Sequence, residues 1–405
     1  MLIKIAFRNI LRQRRRSLLT GLSISGGYFL FALTLSLIEG SYNNMIRIFT
    51  ESHVGHVQIH LDDYLTRPKI YKSISDKDEI ETILSADNRI IGFAPRIYSP
   101  ALSFSEEDTA MVQLIGVDAK KETTVSRLRE KIVTGSFFSS QGGENDRTQA
   151  MVGKGLAIKL GLDINDEFIV IGQGADGSIA NDVFVVSAII GKKSSGERMN
   201  VYLPLQALQE FLSMELSVHE YSMLLEDVAD SRSVAKDLQK KLPELVVSPW
   251  QEVEEMFYKS MEADKQGNWV FLVLLMIIVF IGVLNTVLMS VLERTREFGV
   301  LRAIGYRSGT LVNLIFMETV LLSMMSLILG VIIALPSIMW FSDTGFMMPE
   351  PMDMGGIEFQ HFKGELTAQI LFLPMGIILL FAALISLFPA IRAARLDPAD
   401  ALGKF

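Results

Sequence analysis

The sequence predicts an α-helical membrane protein with four transmembrane helices, one before and three after a large α+β domain. The main observation is the layout of four uncharged apolar stretches, each longer than the ~20 residues that a helix needs to cross a bilayer. Hydrophobic residues make up 49% of the 405, too many for an ordinary soluble protein. More than two hundred residues of mixed polarity separate the first stretch from the second. The stretches are Ser17–Ile38, Gly267–Leu292, Thr319–Ser342 and Leu366–Ile391.

The arginines and lysines of the short segments predict which side of the membrane each part faces. Six basic residues stand in residues 1–16 and four arginines in the link 293–311, whereas the link 343–365 holds one lysine among five acidic residues. We therefore expect both termini and the 293–311 link in the cytoplasm, and the large domain and the 343–365 loop outside. The large domain has more acidic than basic residues, which argues against a nucleic-acid partner.

These patterns divide the chain into nine segments. The first, residues 1–16, is predicted to be a cytoplasmic amphipathic helix, because Lys4, Arg8 and Arg12 recur every four residues and apolar side chains fill another face. The first apolar run is too long for a signal-peptide core, so we expect it to remain as a transmembrane helix. The other segments are the spans 17–40, 312–342 and 366–391, the external domain 41–249, a stalk continuous with the second span at 250–292, the link 293–311, the loop 343–365 and the cytoplasmic tail 392–405.

Strand and helix patterns alternate within 41–249, which predicts a mixed α+β domain with two lobes. Helical spacing of apolar residues indicates a helix over Asp76–Ala86, and the Gly/Asp/Asn-rich connection Gly172–Asp182 indicates a hairpin. The order of these patterns suggests that the two units divide near residue 148. Apolar alternation predicts strands at His56–Leu61, Met111–Val117 and His219–Leu225.

The link 293–311 contains the most specific segment of the chain, Glu293–Gly305. Phe298, Leu301 and Ile304 recur every three residues among charged side chains. Such spacing predicts a short amphipathic helix whose apolar ridge inserts into a groove on a partner protein. An ordinary charged turn between two spans would account for the arginines of the segment but not for this ridge.

Four further stretches share with Glu293–Gly305 a resemblance to one family. They are Ala6–Thr20, Gly55–His60, Val152–Ala157 and Pro389–Leu402. Together the five stretches resemble the MacB/LolC/FtsX superfamily (type VII) of ABC transporter permeases, along the whole length of the chain. Gly55–His60 is similar to the strand after the first span in LolC/LolE-type members, so the lipoprotein-releasing branch is the one that the chain resembles most.

The resemblance implies a membrane subunit that pairs with a second permease copy or paralogue and with two copies of a cytoplasmic ABC ATPase. The ATPase would bind ATP and Mg²⁺, because this sequence has no Gly-x-x-x-x-Gly-Lys-Ser/Thr loop; we expect no cofactor on this chain. ATP hydrolysis would then act through mechanotransmission to extract a lipoprotein or lipid from the outer leaflet of the bacterial inner membrane. A periplasmic carrier or adaptor would receive this cargo. A MacB-like efflux permease for periplasmic substrates and an FtsX-like, non-transporting regulator of a cell-wall hydrolase stay open as alternatives.

The resemblance also implies roles for particular residues. Polar side chains in the second span, Asn285, Thr286 and Ser290, are candidates for a dimer interface, because such groups hydrogen-bond between membrane helices. The substrate-binding residues stay unassigned. The candidate ATPase-coupling residues are Glu293, Arg294, Arg296, Glu297, Phe298, Gly299, Leu301, Arg302, Ile304 and Gly305.

Several residues that could carry other chemistry receive structural interpretations. The chain has no cysteine, which excludes disulfides and thiolate metal sites. His56 and His60 would lie ~13 Å apart along a strand, too far for one metal ion, so we expect no metal site. Glu318, near the cytoplasmic end of the third span, is expected to have a structural role: its side chain either extends to the membrane surface or pairs with Arg302 or Arg307. No catalytic constellation is evident, and we expect a transporter subunit rather than an enzyme.

Overall fold

The computed structural model describes residues 2–12, 14–106, 108–138, 147–354 and 357–394. In this part of the chain the helices are α1 (Leu2–Arg12), α2 (Arg14–Phe49), α3 (Lys77–Ser85), α4 (Ala119–Val125), α5 (Lys154–Leu160), α6 (Leu205–Phe211), α7 (Ser231–Lys241), α8 (Trp250–Val253), α9 (Glu255–Glu293), α10 (Thr295–Ala303), α11 (Ser308–Asp343) and α12 (Ala368–Ala394). The strands are β1 (Val57–His60), β2 (Ile90–Phe104), β3 (Thr109–Val117), β4 (Ile132–Gly135), β5 (Gln149–Gly153), β6 (Glu167–Gln173), β7 (Ile179–Ile190), β8 (Asn200–Pro204), β9 (Glu220–Leu225), β10 (Val246–Pro249), β11 (Phe346–Met354) and β12 (Ile357–Phe362).

The chain forms two compact units. The helical unit comprises residues 1–44, 261–349 and 361–405, and the sheet unit comprises residues 45–260 and 350–360. Among the described residues, four helices are long and apolar enough to cross a membrane: Ser17–Val54, Glu255–Glu293, Ser308–Asp343 and Ala368–Arg392. They contain the first three apolar stretches and all but the first two residues of the fourth. The predicted fold class, with one such helix before and three after a mixed α/β domain, is therefore confirmed.

Helices α2 and α11 pack closely against each other in the helical unit. Tyr28 and Phe31 of α2 are buried with Leu327 and Ala334 of α11 in one apolar cluster. A Cβ added at Gly330 would lie 2.8 Å from Tyr28 Cδ1, so only glycine allows this approach. Small residues at helix contacts are the usual means by which membrane helices gain van der Waals contact.

The sheet unit is built on one ten-stranded sheet with the order β10-β1-β9-β2-β3-β8-β5-β7-β4. Strand β6 pairs with both β2 and β7, so the strands β2-β3-β8-β5-β7-β6 form a closed ring. The long strand β2 belongs both to this ring and to the rest of the sheet, because its second half pairs with β3 and β6 of the ring and its first half pairs with β9. The apolar core of the unit includes Val57 and Ile59 of β1 and Phe168 of β6.

The structure does not divide the sheet unit in sequence order. β3 lies before residue 148 and β8 after it, yet the two pair in parallel from Gln113–Asn200 to Val117–Pro204. The predicted division near residue 148 is therefore wrong, since local patterns do not report pairings between distant strands. The hairpin is present but tighter than Gly172–Asp182, because pairing continues to Gln173 and Ile179.

The predicted stalk, Trp250–Leu292, is interrupted. α8 ends at Val253, Glu254 has φ −117° and ψ 55°, and α9 begins at Glu255. Trp250 is buried, and its backbone N–H donates to His56 O at 3.0 Å. This contact fixes the start of α8 against the sheet, so the helix breaks where the chain leaves that anchor.

Candidate functional site

The link between α9 and α11 forms a turn, the helix α10 and a second turn. Arg294 precedes α10, and its carbonyl accepts the Phe298 N–H at 3.0 Å. α10 ends at Ala303, and Gly305 adopts φ +102°, a left-handed conformation that glycine adopts without strain. Arg307 then leads into α11. The sequence prediction of a short helix in this link agrees with these bounds.

The apolar ridge of α10 does not face outward as predicted. Phe298 is only 2% exposed and packs with Val291, Leu311, Ile315 and Ala390 of the same chain. Leu301 is half-buried against this cluster, and only Ile304, 72% exposed, is open to a partner. An α-helix has 3.6 residues per turn, so residues spaced three apart point in successively different directions around it. Phe298, Leu301 and Ile304 therefore do not all point to the same side.

A different face of α10 is exposed. Arg296 and Val300 stand four residues apart, and Ala303 and Ile304 follow one turn later. All four are exposed, and they share one side of the helix because i, i+4 and i+7 or i+8 positions align. This outer face, Arg296–Val300–Ala303–Ile304, combines a positive charge with apolar side chains. Val300 was missed by the sequence analysis, because it lies outside the three-residue spacing.

Arg294 points inward instead of toward a partner. It is 7% exposed, and its Nη1 donates to both carboxylate oxygens of Glu318, at 2.8 and 3.0 Å. Its Nε donates to Glu297 at 2.9 Å, and its guanidinium lies 5.1 Å from the Phe298 ring centroid. Glu318 thus has the expected structural role, but with Arg294 as the partner instead of the expected Arg302 or Arg307. Arg302 donates to Ser308 across the second turn.

The remaining coupling residues divide between the two sides of this link. Glu293, Arg296 and Gly305 are exposed, whereas Gly299 is buried beside Phe298. In α9, Asn285 is exposed. The side chains of Thr286 and Ser290 lie outside the described residues, as do the tail from residue 395 and most of the Pro389–Leu402 motif.

The sheet unit holds a buried ionic cluster that the sequence analysis did not identify. Arg96 of β2 is fully buried and binds Glu122 through Nε at 3.0 Å and Nη2 at 2.8 Å. Its Nη1 donates to Glu220 at 3.1 Å and also to His53 O, in the segment that follows α2. An arginine inside the apolar sequence of β2 was the available signal, since buried arginines need paired carboxylates.

The histidines near β1 are structural. His60 Nε2 lies 3.4 Å from Glu220 Oε2, and His56 Nδ1 accepts the Leu225 N–H at 3.0 Å. Burial lowers the pKa of His56 to about 4. Burial would raise the pKa of Glu220, but its hydrogen bond with His60 and the charge of Arg96 lower it to about 2. The predicted strand is thus present, and its histidines are occupied by contacts within the sheet unit.

Comparisons with known proteins agree with this architecture. A family model described as MacB-like periplasmic core domain matches residues 17–241, and one described as FtsX-like permease C-terminal matches residues 269–398. The lipoprotein-releasing system transmembrane protein LolC of Xylella fastidiosa (strain Temecula1) is 25% identical, over 93% of this chain and 94% of its own. LolE of Haemophilus influenzae is 21% identical, over 86% of this chain and 85% of its own.

A relative of another type also aligns along nearly the whole chain. The macrolide export ATP-binding/permease protein MacB 2 of Aeromonas hydrophila is 24% identical, over 99% of this chain and 60% of its own. The chain is a multi-pass membrane protein with a periplasmic domain, similar to permeases that work with a cytoplasmic ABC ATPase. Because the periplasmic-core model covers more than half of its length, the chain belongs to the MacB/LolC/FtsX superfamily of ABC transporter permeases, in its LolC/LolE-like branch.

Proposed function

We propose that this chain is a permease subunit that uses ATP hydrolysis by a separate cytoplasmic ATPase to extract a lipoprotein or lipid from the outer leaflet of the inner membrane. The observation that carries the proposal is the nearly full-length similarity to two relatives named as lipoprotein-releasing proteins. Each methylene of an acyl chain costs ~0.8 kcal/mol to expose to water. A cargo of this kind therefore needs both a source of energy and an acceptor in the periplasm.

The outer face of α10 is proposed to bind the ATPase. Val300 and Ile304 are exposed beside Arg296, a combination that suits an apolar groove with acidic residues at its edge. We also propose that this face and both termini lie in the cytoplasm, because the arginines of the 1–16 and 293–311 segments favour that side of the membrane. The nine segments predicted from the sequence keep their boundaries in this proposal. The two exceptions are the division of the sheet unit near residue 148 and the uninterrupted stalk, which the structure corrects.

A second permease chain is proposed to pack on α9. The exposed residues Leu274, Ile278, Ile281, Asn285 and Met289 follow one another at spacings of three or four and form one stripe on this helix. An amide such as Asn285 is costly in lipid without a hydrogen-bond partner, so a partner helix is favoured over lipid at this stripe. The partner is a second copy of the chain or a paralogue.

An efflux permease of the MacB type is the second candidate. The observation that favours it is the alignment of nearly all of this chain with MacB 2. In that case the cargo would be a periplasmic solute, and an adaptor would take the place of a lipoprotein carrier.

The test is a purification of the chain in mild detergent, with mass spectrometry of the proteins and lipids that accompany it. We expect an ABC ATPase and an acylated lipoprotein. An ATPase with an adaptor, and without lipidated protein, would favour the efflux permease; an ATPase with a cell-wall hydrolase would favour a regulator of the FtsX type.

A variant pair tests the ATPase contact in the same experiment. Ile304→Asp places a charge in the outer face of α10 and is expected to release the ATPase. Ile179→Asp, in the equally exposed β7 of the sheet unit, is the control and is expected to retain it. Retention of the ATPase by the Ile304 variant would show that α10 binds it through another face, or not at all.

A further inference from the structure

The buried ion pair between Arg294 and Glu318 lies where five helices of the helical unit meet. The residues around it come from α1 (Ile10), α2 (Thr20), α9 (Val291), α10 (Phe298) and α11 (Thr319), and they line a small cavity of ≈ 30 Å³. A space of this size holds no more than a few water molecules. The side chains of Arg294 and Glu318 are only 8% and 11% exposed, so bulk solvent cannot replace either partner.

Arg294 connects α10 to the neighbouring helices through three kinds of contact. Its Nη1 reaches both oxygens of Glu318 on α11, its Nε reaches Glu297 on α10, and its guanidinium stacks over Phe298 of α10. Asn9 of α1 donates to the same Glu318 carboxylate at 3.5 Å. One side chain therefore connects α10 and α11 and, through Glu318, reaches α1.

We propose that Arg294 and Glu318 are positioning residues that make α10, α11 and α1 move as one body when the ATPase acts on α10. This inference rests on the proposed function, in which α10 binds the ATPase. Neither residue contacts the partner or the cargo in this arrangement. Their effect is to prevent α10 from tilting alone, because the planar guanidinium, which donates through Nη1 to both Glu318 oxygens and lies over Phe298, restricts both the distance and the angle between two helices.

The physical reason is the cost of separating the pair. A charge that loses its partner in a buried site is not compensated by water, so the two side chains stay together while the helices move. Without the pair, α10 would keep its outer face and its apolar contact through Phe298. The ATPase would still bind and hydrolyse ATP, but part of the motion would be lost within the turn at Arg294.

The first test measures, in the full-length chain alone, how rigidly the Arg294–Glu318 pair connects α10 to α11. This connection is called the joint below. Because the chain has no cysteine, spin labels can be placed at the exposed positions Ala303 of α10 and Met324 of α11 by Ala303→Cys and Met324→Cys. Labelled protein is diluted with unlabelled protein, so that distances within one chain dominate. We expect a narrow distance distribution that broadens in Glu318→Gln. Glu297→Gln, which removes the exposed partner of Arg294, is the matched control and should leave the distribution narrow.

Two further variants separate a joint from a general loss of folding. The exchange Arg294→Glu with Glu318→Arg restores opposite charges and should narrow the distribution again. Arg294→Lys keeps the charge but loses the planar guanidinium. It is expected to give a partly broadened distance distribution even if Glu318→Gln does not fold. A narrow distribution in either Glu318→Gln or Arg294→Lys would overturn the proposal.

The second test uses the complex with its ATPase in lipid nanodiscs and compares cargo release with ATP hydrolysis. In Glu318→Gln the ATPase should copurify and hydrolyse ATP, while cargo released per ATP falls about fivefold or more, the range of a typical coupling energy. An unchanged ratio would contradict the proposal. If Ile304→Asp retains the ATPase, the proposed contact face is wrong, but the distance measurement on the isolated chain still decides whether the joint exists.

Discussion

Single residues determine whether a charge is available to a partner or stabilises the fold. Arg294 and Arg296 stand two positions apart in one basic segment, yet the first is buried on Glu318 and the second is exposed on the outer face of α10. Their different roles arise because Arg294 lies in the turn before α10, where it reaches Glu318 of α11, whereas Arg296 lies on the outer face of α10. The sheet unit shows a similar contrast: Arg96 of β2 is buried, whereas Arg89, seven residues earlier, is partly exposed.

Removing the buried arginine of the sheet unit should strongly destabilise it. Arg96→Leu would leave Glu122 and Glu220 buried without their cation, at a cost of about 3–5 kcal/mol. Arg89→Leu is the control: its pairs with Asp87 and Asp237 are partly exposed and should contribute ~1 kcal/mol or less. Chemical unfolding of the full-length chain in detergent, followed by Trp250 fluorescence in a background without Trp269 and Trp340, measures both. Equal effects would mean that the buried cluster has no special role.

Acid should destabilise the sheet unit in two steps. Folded His56 stays neutral until about pH 4, whereas the unfolded chain binds that proton near 6.5, so stability falls by ~3 kcal/mol as the pH drops from 6.5 to 4. Folded Glu220 stays ionised to about pH 2, so its contribution is present above pH 4.5 and is lost below it. The same unfolding measurement, repeated between pH 4 and 8, should show the first step. His56→Gln should remove part of that slope, because burial also lowers the pKa of His219. A slope unaltered in this variant would mean that His56 does not contribute to it.

At the scale of elements, the link between α9 and α11 shows how a short helix can have one face packed on its own chain and another face exposed. α10 is held to its own chain by Phe298 and Arg294, and this leaves Val300 and Ile304 exposed. α1 is arranged similarly, because Ala6 and Ile10 are buried while Ile3, Phe7 and Leu11 stay exposed beside the basic residues. Such an exposed apolar row next to lysine and arginine suits a helix lying at the membrane surface.

The turn after α10 should depend on its glycine. Gly305 has φ +102°, and a Cβ added there would meet no other atom within 4 Å, so Gly305→Ala adds strain without a steric clash. We expect a loss of ~1–2 kcal/mol. Gly376→Ala, in the interior of α12 and also with free space, is the control and should be neutral or stabilising. Thermal unfolding in detergent distinguishes them, and similar midpoints would indicate that the turn can change its conformation freely.

At the scale of the whole molecule, the exposed stripe of α9 predicts a dimer of permease chains. Ile281→Cys in membranes should form a disulfide between chains on mild oxidation, since the natural chain offers no competing thiol. Met324→Cys on α11 is equally exposed in the single chain and serves as the control. Electrophoresis without reducing agent measures the crosslinked fraction. Efficient crosslinking at Met324 with none at Ile281 would move the interface from α9 to α11.

The four apolar helices, the mixed α/β domain between the first and second, and the family were all predictable before the fold was known, because they follow from local composition and from motifs within a few residues. Three features became visible only in the folded chain: the exposed side of α10, the pairing of Arg294 with Glu318, and the pairing of β3 with β8 across residue 148. Arg294, Arg296 and Arg302 were all candidates for the ATPase contact, and the domain was expected to divide in order along the chain. The physical reason is that burial and pairing depend on contacts between residues far apart in the chain, which periodicity cannot report. The ion pair joins residues 24 apart, and the arginine cluster joins β2 to Glu220, 124 residues later.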